Sequence, residues 1–125
     1  MSSPALGNNR ESSAGSPRVF ISAGEASGDL HGSHLARSLA RLVPGVRIEG
    51  VGGDRMREAG VEVHLDIKGL AITGIFEVIV RIPRVLGAFR RMVNMLADQR
   101  PDVAVLIDAP EFNIRLARKA HQLGI

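Results

Sequence analysis

The chain has 125 residues, 45% of them hydrophobic, with a formal charge of +3, four Phe, no Tyr or Trp and no cysteine. That length and apolar content bury one modest core, and the lack of cysteine excludes a disulfide framework, an iron–sulfur site and thiol chemistry, in keeping with a reducing cytoplasm. The basic balance, with an isoelectric point near 10.5, favours nucleic acid, a phosphorylated ligand or an acidic membrane surface as neighbour. Nucleic acid is the weakest of the three, because the aromatic side chains that stack on bases are scarce.

Residues 1–17 (MSSPALGNNRESSAGSP) carry no apolar period and read as a disordered tail, leaving 18–125 as the folded domain. The tail lacks the apolar stretch of roughly 7–15 residues of a secretory signal, so the product is expected to stay in the cytoplasm. Arg18 to Ala23 (RVFISA) is short and β-favouring, as expected of a strand buried on both faces of a parallel sheet. A glycine-containing turn, GEASGD, opens a helix with Leu35, Leu39 and Leu42 on one face, Ser27 or Asp29 available to cap its first turn, and Pro44 and Gly45 to end it. Val46 to Val51 gives a second strand, Gly52 and Gly53 a tight turn, and Asp54 to Ala59 a short helix closed by Gly60. Val61, Val63 and Leu65 alternate as a third strand.

Gly69 to Val80 (GLAITGIFEVIV) is strongly apolar but interrupted by Glu77, and falls short of the roughly 20 residues of a membrane span. Arg81, Pro83, Arg84, Arg90 and Arg91 follow, while Val85, Phe89, Met92, Val93 and Leu96 repeat as one helix face. Two readings stand side by side: a core helix with a solvated basic side, or an apolar, Arg-flanked patch lying on an anionic membrane surface. Asp102 to Ile107 (DVAVLI) is a fourth strand, ending in Asp108, Ala109 and Pro110, and Glu111 to Leu123 is a helix with Leu116, Ala120 and Leu123 on one face. Ile125 reads as the start of a further strand, so the chain is expected to be a fragment of a longer protein.

Right-handed crossovers, with the long connection from Ile67 to Arg100 carrying the chain back, predict a Rossmann-like α/β fold: a parallel sheet flanked by helices, strand order 3-2-1-4. The order reverses between strands one and four, so Gly24–Asp29 and Asp108–Pro110 are expected to face each other across one crevice. Gly24 and Gly28 do not fit the dinucleotide fingerprint and no Walker lysine follows. Glu25 and Asp29 are either cap and turn residues or carboxylates suited to sugar hydroxyls. Asp108, directly after a buried strand and held by Pro110, has little structural role open to it other than capping the next helix, and so stands out as a functional candidate. His31 and His34 have a metal-compatible spacing but no third ligand nearby, and His64 and His121 are assigned no role. No Asp-any-Asp pair occurs, so neither a metal nor another cofactor is expected, and a nucleotide-sugar enzyme built this way would be metal-independent.

The runs ISAGEASGDLHG, EGVGGDRMREAG, LAITGIFEVIVRIPRVL and PDVAVLIDAPEFN with KAHQLGI resemble, in that order, the N-terminal part of the bacterial lipid-A-disaccharide synthase family. The resemblance runs from Arg18 to Ile125. It implies the incomplete N-terminal half of a two-domain GT-B-type glycosyltransferase, a hexosyltransferase of lipid A biosynthesis. The family moves 2,3-diacylglucosamine from its UDP carrier to 2,3-diacylglucosamine 1-phosphate at the cytoplasmic face of the inner membrane, as a peripheral protein. It further implies Asp108 as the catalytic base, and Gly24, Glu25, Ser27, Gly28, Asp29, Gly52, Gly53 and Asn113 as substrate-binding positions. Membrane contact would fall on Leu70, Ile72, Ile75, Phe76, Ile79, Arg81 and Arg84. The C-terminal half, which binds the UDP part, would be required, and this chain alone would be inactive. Two positions depart from the family's usual pattern: Glu111 stands for Asp, and Asp54 for Pro. The alternative is a nucleotide-binding or membrane-associating Rossmann-like module without catalysis.

Overall fold

The computed structural model describes residues 15–70 and 75–125, and side chains outside 69–82. The expected tail lies outside the described residues up to residue 14, as do the side chains of Leu70, Ile72, Ile75, Phe76, Ile79 and Arg81. The four β-favouring runs form β1 (Arg18–Ala23), β2 (Arg47–Gly52), β3 (Glu62–Asp66) and β4 (Val103–Ile107). All pair in parallel, in the order β3-β2-β1-β4 that the sequence predicts. Four α-helices accompany them: α1 (Ala26–Leu42), α2 (Asp54–Glu58), α3 (Ile75–Gln99) and α4 (Pro110–Gln122), with a 3₁₀ turn at Ile67–Leu70.

Alternation along β1 splits its side chains between two cores, because successive residues of a strand point to opposite faces. Val19, Ile21 and Ala23 pack with Ile48, Val61, Ala36 of α1 and Met56 of α2. Phe20 packs on the other face with Val51, Met92 and Leu96 of α3, and Leu116 and Ala120 of α4. Phe20, Ile21, Met56, Met92, Leu96 and Leu116 are all less than 2% exposed. Burial of each stabilises the fold by roughly 1.5–3 kcal/mol before entropy is counted. Gly50 has φ +154, and a Cβ there would meet the carbonyl oxygen of Ile21, so only glycine lets β2 approach β1 at this point.

Three local expectations are corrected. The apolar segment from Ile75 onward and the basic stretch form one helix, Ile75–Gln99, with Pro83 inside it, so the proline costs one ladder bond without ending the element. The alternation of Val61, Val63 and Leu65 does not survive: Val63 packs in the first core and Leu65 in the second. The reason is a register shift, in which Gly50 pairs with Val63 but Val51 with Leu65. Neither Ser27 nor Asp29 caps α1, whose N-cap is Glu25 and makes no side-chain cap bond. Asp29 lies a full turn inside the helix, its N–H already bonded to the Glu25 carbonyl at 3.0 Å.

The described half of α3 follows the core reading. Met92 and Leu96 are buried, Phe89 and Val93 half-buried, and Arg84, Arg90 and Arg91 exposed. Among the described residues no helix is long and apolar enough to cross a membrane.

Candidate functional site

β1 and β4 end side by side, with Ala23 opposite Ile107, so the turns that follow them share one crevice. Stretches 81 residues apart in sequence meet there, and the Ser27 hydroxyl donates to Asp108 Oδ2 at 3.2 Å. Gly24 lies so close to Ala109 that a Cβ on Gly24 would collide with the Ala109 methyl. A Cβ on Gly28 would stand 3.2 Å from Ala23 Cβ, 3.3 Å from Ile107 Cγ2 and 3.4 Å from Asp108 Oδ2. Both glycines therefore serve the close approach of the first turn to the second.

Asp108 and Ala109 both adopt left-handed backbone, at φ 57 and φ 44. Non-glycine residues seldom do so, at a cost of about 1–3 kcal/mol each. What holds them is Asn113, buried in the first turn of α4. Its side-chain amide donates to the carbonyls of Ile107 at 3.1 Å and Asp108 at 2.6 Å, and its oxygen accepts from the Ser22 hydroxyl at 3.3 Å. The N-cap of α4 is Ala109, followed by Pro110, and no side chain caps the helix. Asp108 is thus not spent on capping. Its carboxylate is exposed at the crevice with Ser27 as its hydrogen-bond donor.

The other acid of the first turn has a different fate. Asp29 is 6% exposed, and its carboxylate accepts from the backbone N–H groups of Gly53 at 2.7 Å, Met56 at 3.1 Å and Arg55 at 3.1 Å. It closes the N-terminus of α2 from a neighbouring helix, satisfying donors that have no partner within α2. Gly52 and Gly53 belong to the same arrangement, since a Cβ on either would crowd the Asp29 carboxylate, at 3.2 Å and 2.9 Å respectively. Glu25 is exposed, and no hydrogen bond engages its carboxylate among the described residues.

Beside the crevice lies an apolar pocket of roughly 170 Å³, lined by Ser22, Ala23, Gly24, Val51, Val85, Ala109 and Phe112. Phe112 is held by an edge-to-face contact with Phe89, ring centres 5.4 Å apart, which ties α4 to α3. Sequence reasoning missed Ser22, Val85 and Phe112. Their apolar or small side chains carry no chemical signal, and only the packing of α3 and α4 over the sheet brings them together.

The crevice at the strand-order reversal, with the exposed carboxylates of Asp108 and Glu25 in its two turns and an apolar pocket beside it, marks a Rossmann-like α/β domain, a class in which ligands bind across the carboxyl ends of the strands. Residues 19–125 match the family model described as Lipid-A-disaccharide synthetase, and the chain belongs to that family. It is 47% identical over 109 residues to a lipid-A-disaccharide synthase of Nitrosococcus oceani, covering 87% of this chain and 28% of that protein. It is 42% identical over 106 residues to the one of Solibacter usitatus, covering 85% and 28%. With the one of Geobacter sulfurreducens it shares 46% over 110 residues, covering 88% and 29%. The chain thus spans less than a third of the length of these relatives.

Proposed function

We propose that residues 18–125 are the acceptor-side, N-terminal domain of an inverting hexosyltransferase with two facing Rossmann-like domains. The complete enzyme transfers 2,3-diacylglucosamine from its UDP carrier to 2,3-diacylglucosamine 1-phosphate, giving lipid A disaccharide 1-phosphate and UDP. The observation that carries this reading is the Asp108 carboxylate, exposed at the crevice and aligned by Ser27 at 3.2 Å, next to the apolar pocket. A carboxylate suits a sugar hydroxyl, and an apolar wall suits an acylated sugar.

In this mechanism Asp108 takes the proton of the attacking acceptor hydroxyl. The hydroxyl oxygen bonds to the donor's anomeric carbon from the face opposite UDP, and the carbon–oxygen bond to UDP breaks with its electron pair leaving on the phosphate. Gly24, Glu25, Ser27 and Gly28 line the acceptor side. Asp29, Gly52 and Gly53 back that wall, and Asn113 fixes the turn that presents Asp108. The C-terminal part of the enzyme holds the UDP. The enzyme works as a peripheral protein at the cytoplasmic face of the inner membrane, with Leu70, Ile72, Ile75, Phe76, Ile79, Arg81 and Arg84 meeting the lipid surface.

The test is UDP release by the full-length protein, given the UDP-sugar donor with and without the sugar 1-phosphate acceptor. Release that depends on the acceptor is expected; a folded full-length protein that releases none in either case would overturn the reading.

A further inference from the structure

Away from the crevice, β2 and β3 gather a second group of polar side chains. Glu49 and Glu62 are direct register partners, so both project from the same face of the sheet. One residue later the ladder slips, and His64 is left without a partner between Val63 and Leu65. An extra residue in one strand re-aims its side chain. Here it brings His64 Nε2 to 3.8 Å from Glu49 Oε1 and 4.0 Å from Glu62 Oε1. One donor atom from each of the three residues lies within 4.8 Å of the others.

The decisive member is Glu49. Its side chain is only 5% exposed, and Oε1, the atom facing His64, is buried with no hydrogen-bond partner among the described residues. A buried carboxylate oxygen in that state calls for a cation or a donor. The Arg91 guanidinium from α3 donates to the His64 carbonyl at 3.5 Å, and among the described residues no guanidinium bonds to either carboxylate.

We propose that Glu49, Glu62 and His64 bind one divalent transition-metal ion of the zinc class. One imidazole with two carboxylates suits zinc and its neighbours better than calcium or magnesium, which take oxygen ligands. Tetrahedral zinc, with ligands at about 2.0–2.2 Å, sets its donor atoms about 3.3–3.6 Å apart. Closing from 3.8 and 4.0 Å is a small adjustment for His64 and Glu62, whose side chains are 30% and 66% exposed. That exposure also gives the ion access and leaves its fourth position to water. The ion would supply the partner Glu49 lacks and clamp β3, at the sheet edge, to β2. Glu49 lies in mid-strand opposite Phe20, not at the strand ends that form the crevice, so the role is structural.

The test is calorimetric titration of chelator-treated full-length protein with zinc. The wild type should take up an ion whose affinity falls by at least about tenfold in both Glu49→Gln and His64→Gln, each checked for native circular dichroism. A His31→Gln/His34→Gln double variant, altered at the exposed histidines of α1, should bind as the wild type does. Zinc uptake unchanged in folded Glu49→Gln and His64→Gln, uptake lost in the α1 double variant instead, or no uptake by the wild type would each overturn the proposal.

Discussion

The side-chain amide of Asn113 donates to the main-chain carbonyl of Asp108 at 2.6 Å, across the two left-handed residues that separate β4 from α4. With its bonds to Ile107 and Ser22, this one side chain occupies the backbone of the turn and the end of β1 together. The strain at Asp108 and Ala109 persists because Asn113 over-determines it.

Replacing Asn113 by Ala leaves two carbonyls and one hydroxyl without this partner, and should destabilise the fold by roughly 2–4 kcal/mol. In the full-length protein, hydrogen exchange at the first turn of α4 should accelerate, and turnover should fall even where the protein stays folded, because the Asp108 turn is released. Unchanged exchange there would remove the positioning role.

Asp108→Asn keeps the size of the side chain and the possibility of a bond with Ser27, but it cannot take a proton. Turnover of the full-length enzyme should fall about 10²–10⁴-fold, with little change in unfolding behaviour, since the carboxylate is exposed. Single-turnover kinetics would check it, and turnover within a few-fold of wild type would rule out Asp108 as the base.

Asp29→Ala should act on stability rather than chemistry. It orphans the N–H groups of Gly53, Arg55 and Met56, at a cost of about 2–4 kcal/mol for a charge-assisted cap shared by three donors. The measurement is hydrogen exchange at those three amides, expected to rise well before any change at the buried residues of β1.

Gly28→Ala places a methyl 3.2 Å from Ala23 Cβ and 3.3 Å from Ile107 Cγ2, contacts that must give by a few tenths of an ångström, with the Asp108 carboxylate alongside at 3.4 Å. A loss of roughly 1–3 kcal/mol is expected from overpacking, together with reduced turnover as Asp108 is displaced. Thermal unfolding and activity of the same variant read the two effects separately.

Asp66 gives the one pH prediction. The Lys68 backbone N–H, at 2.8 Å, and then the Arg57 guanidinium hold its carboxyl below the usual carboxylate range. A carboxylate with a depressed folded value stabilises the fold above its ordinary value, about 3.9, and loses that contribution as pH falls through the depressed one. Solvent reaches the group, so the effect is small. The acid limb of the stability profile below about pH 4 should be shallower in Asp66→Asn than in wild type, and more so at low salt.

The sequence by itself determined the sheet. Four short β-rich runs, separated by stretches that leave room for right-handed crossovers, with the long Ile67–Arg100 connection carrying the chain back past β1, predict the order β3-β2-β1-β4, and that order puts the Gly24 and Asp108 turns together. Periodicity reports such patterns because they are local. What each polar side chain does in the folded state was settled by contacts between distant segments. Asp29 reads as a cap or a ligand residue for its own helix, and only the packing of α1 against α2 directs it to three amides beyond Gly52. His64 reads as a lone residue, and a one-residue slip between β2 and β3, invisible in composition, turns it toward Glu49. Asn113 looks like any early helical Asn until the left-handed turn before it exposes two carbonyls to bind. Local patterns fix elements because their hydrogen bonds and side-chain periods lie within a few residues. Sites depend on register and close approach, which exist only once the strands have paired.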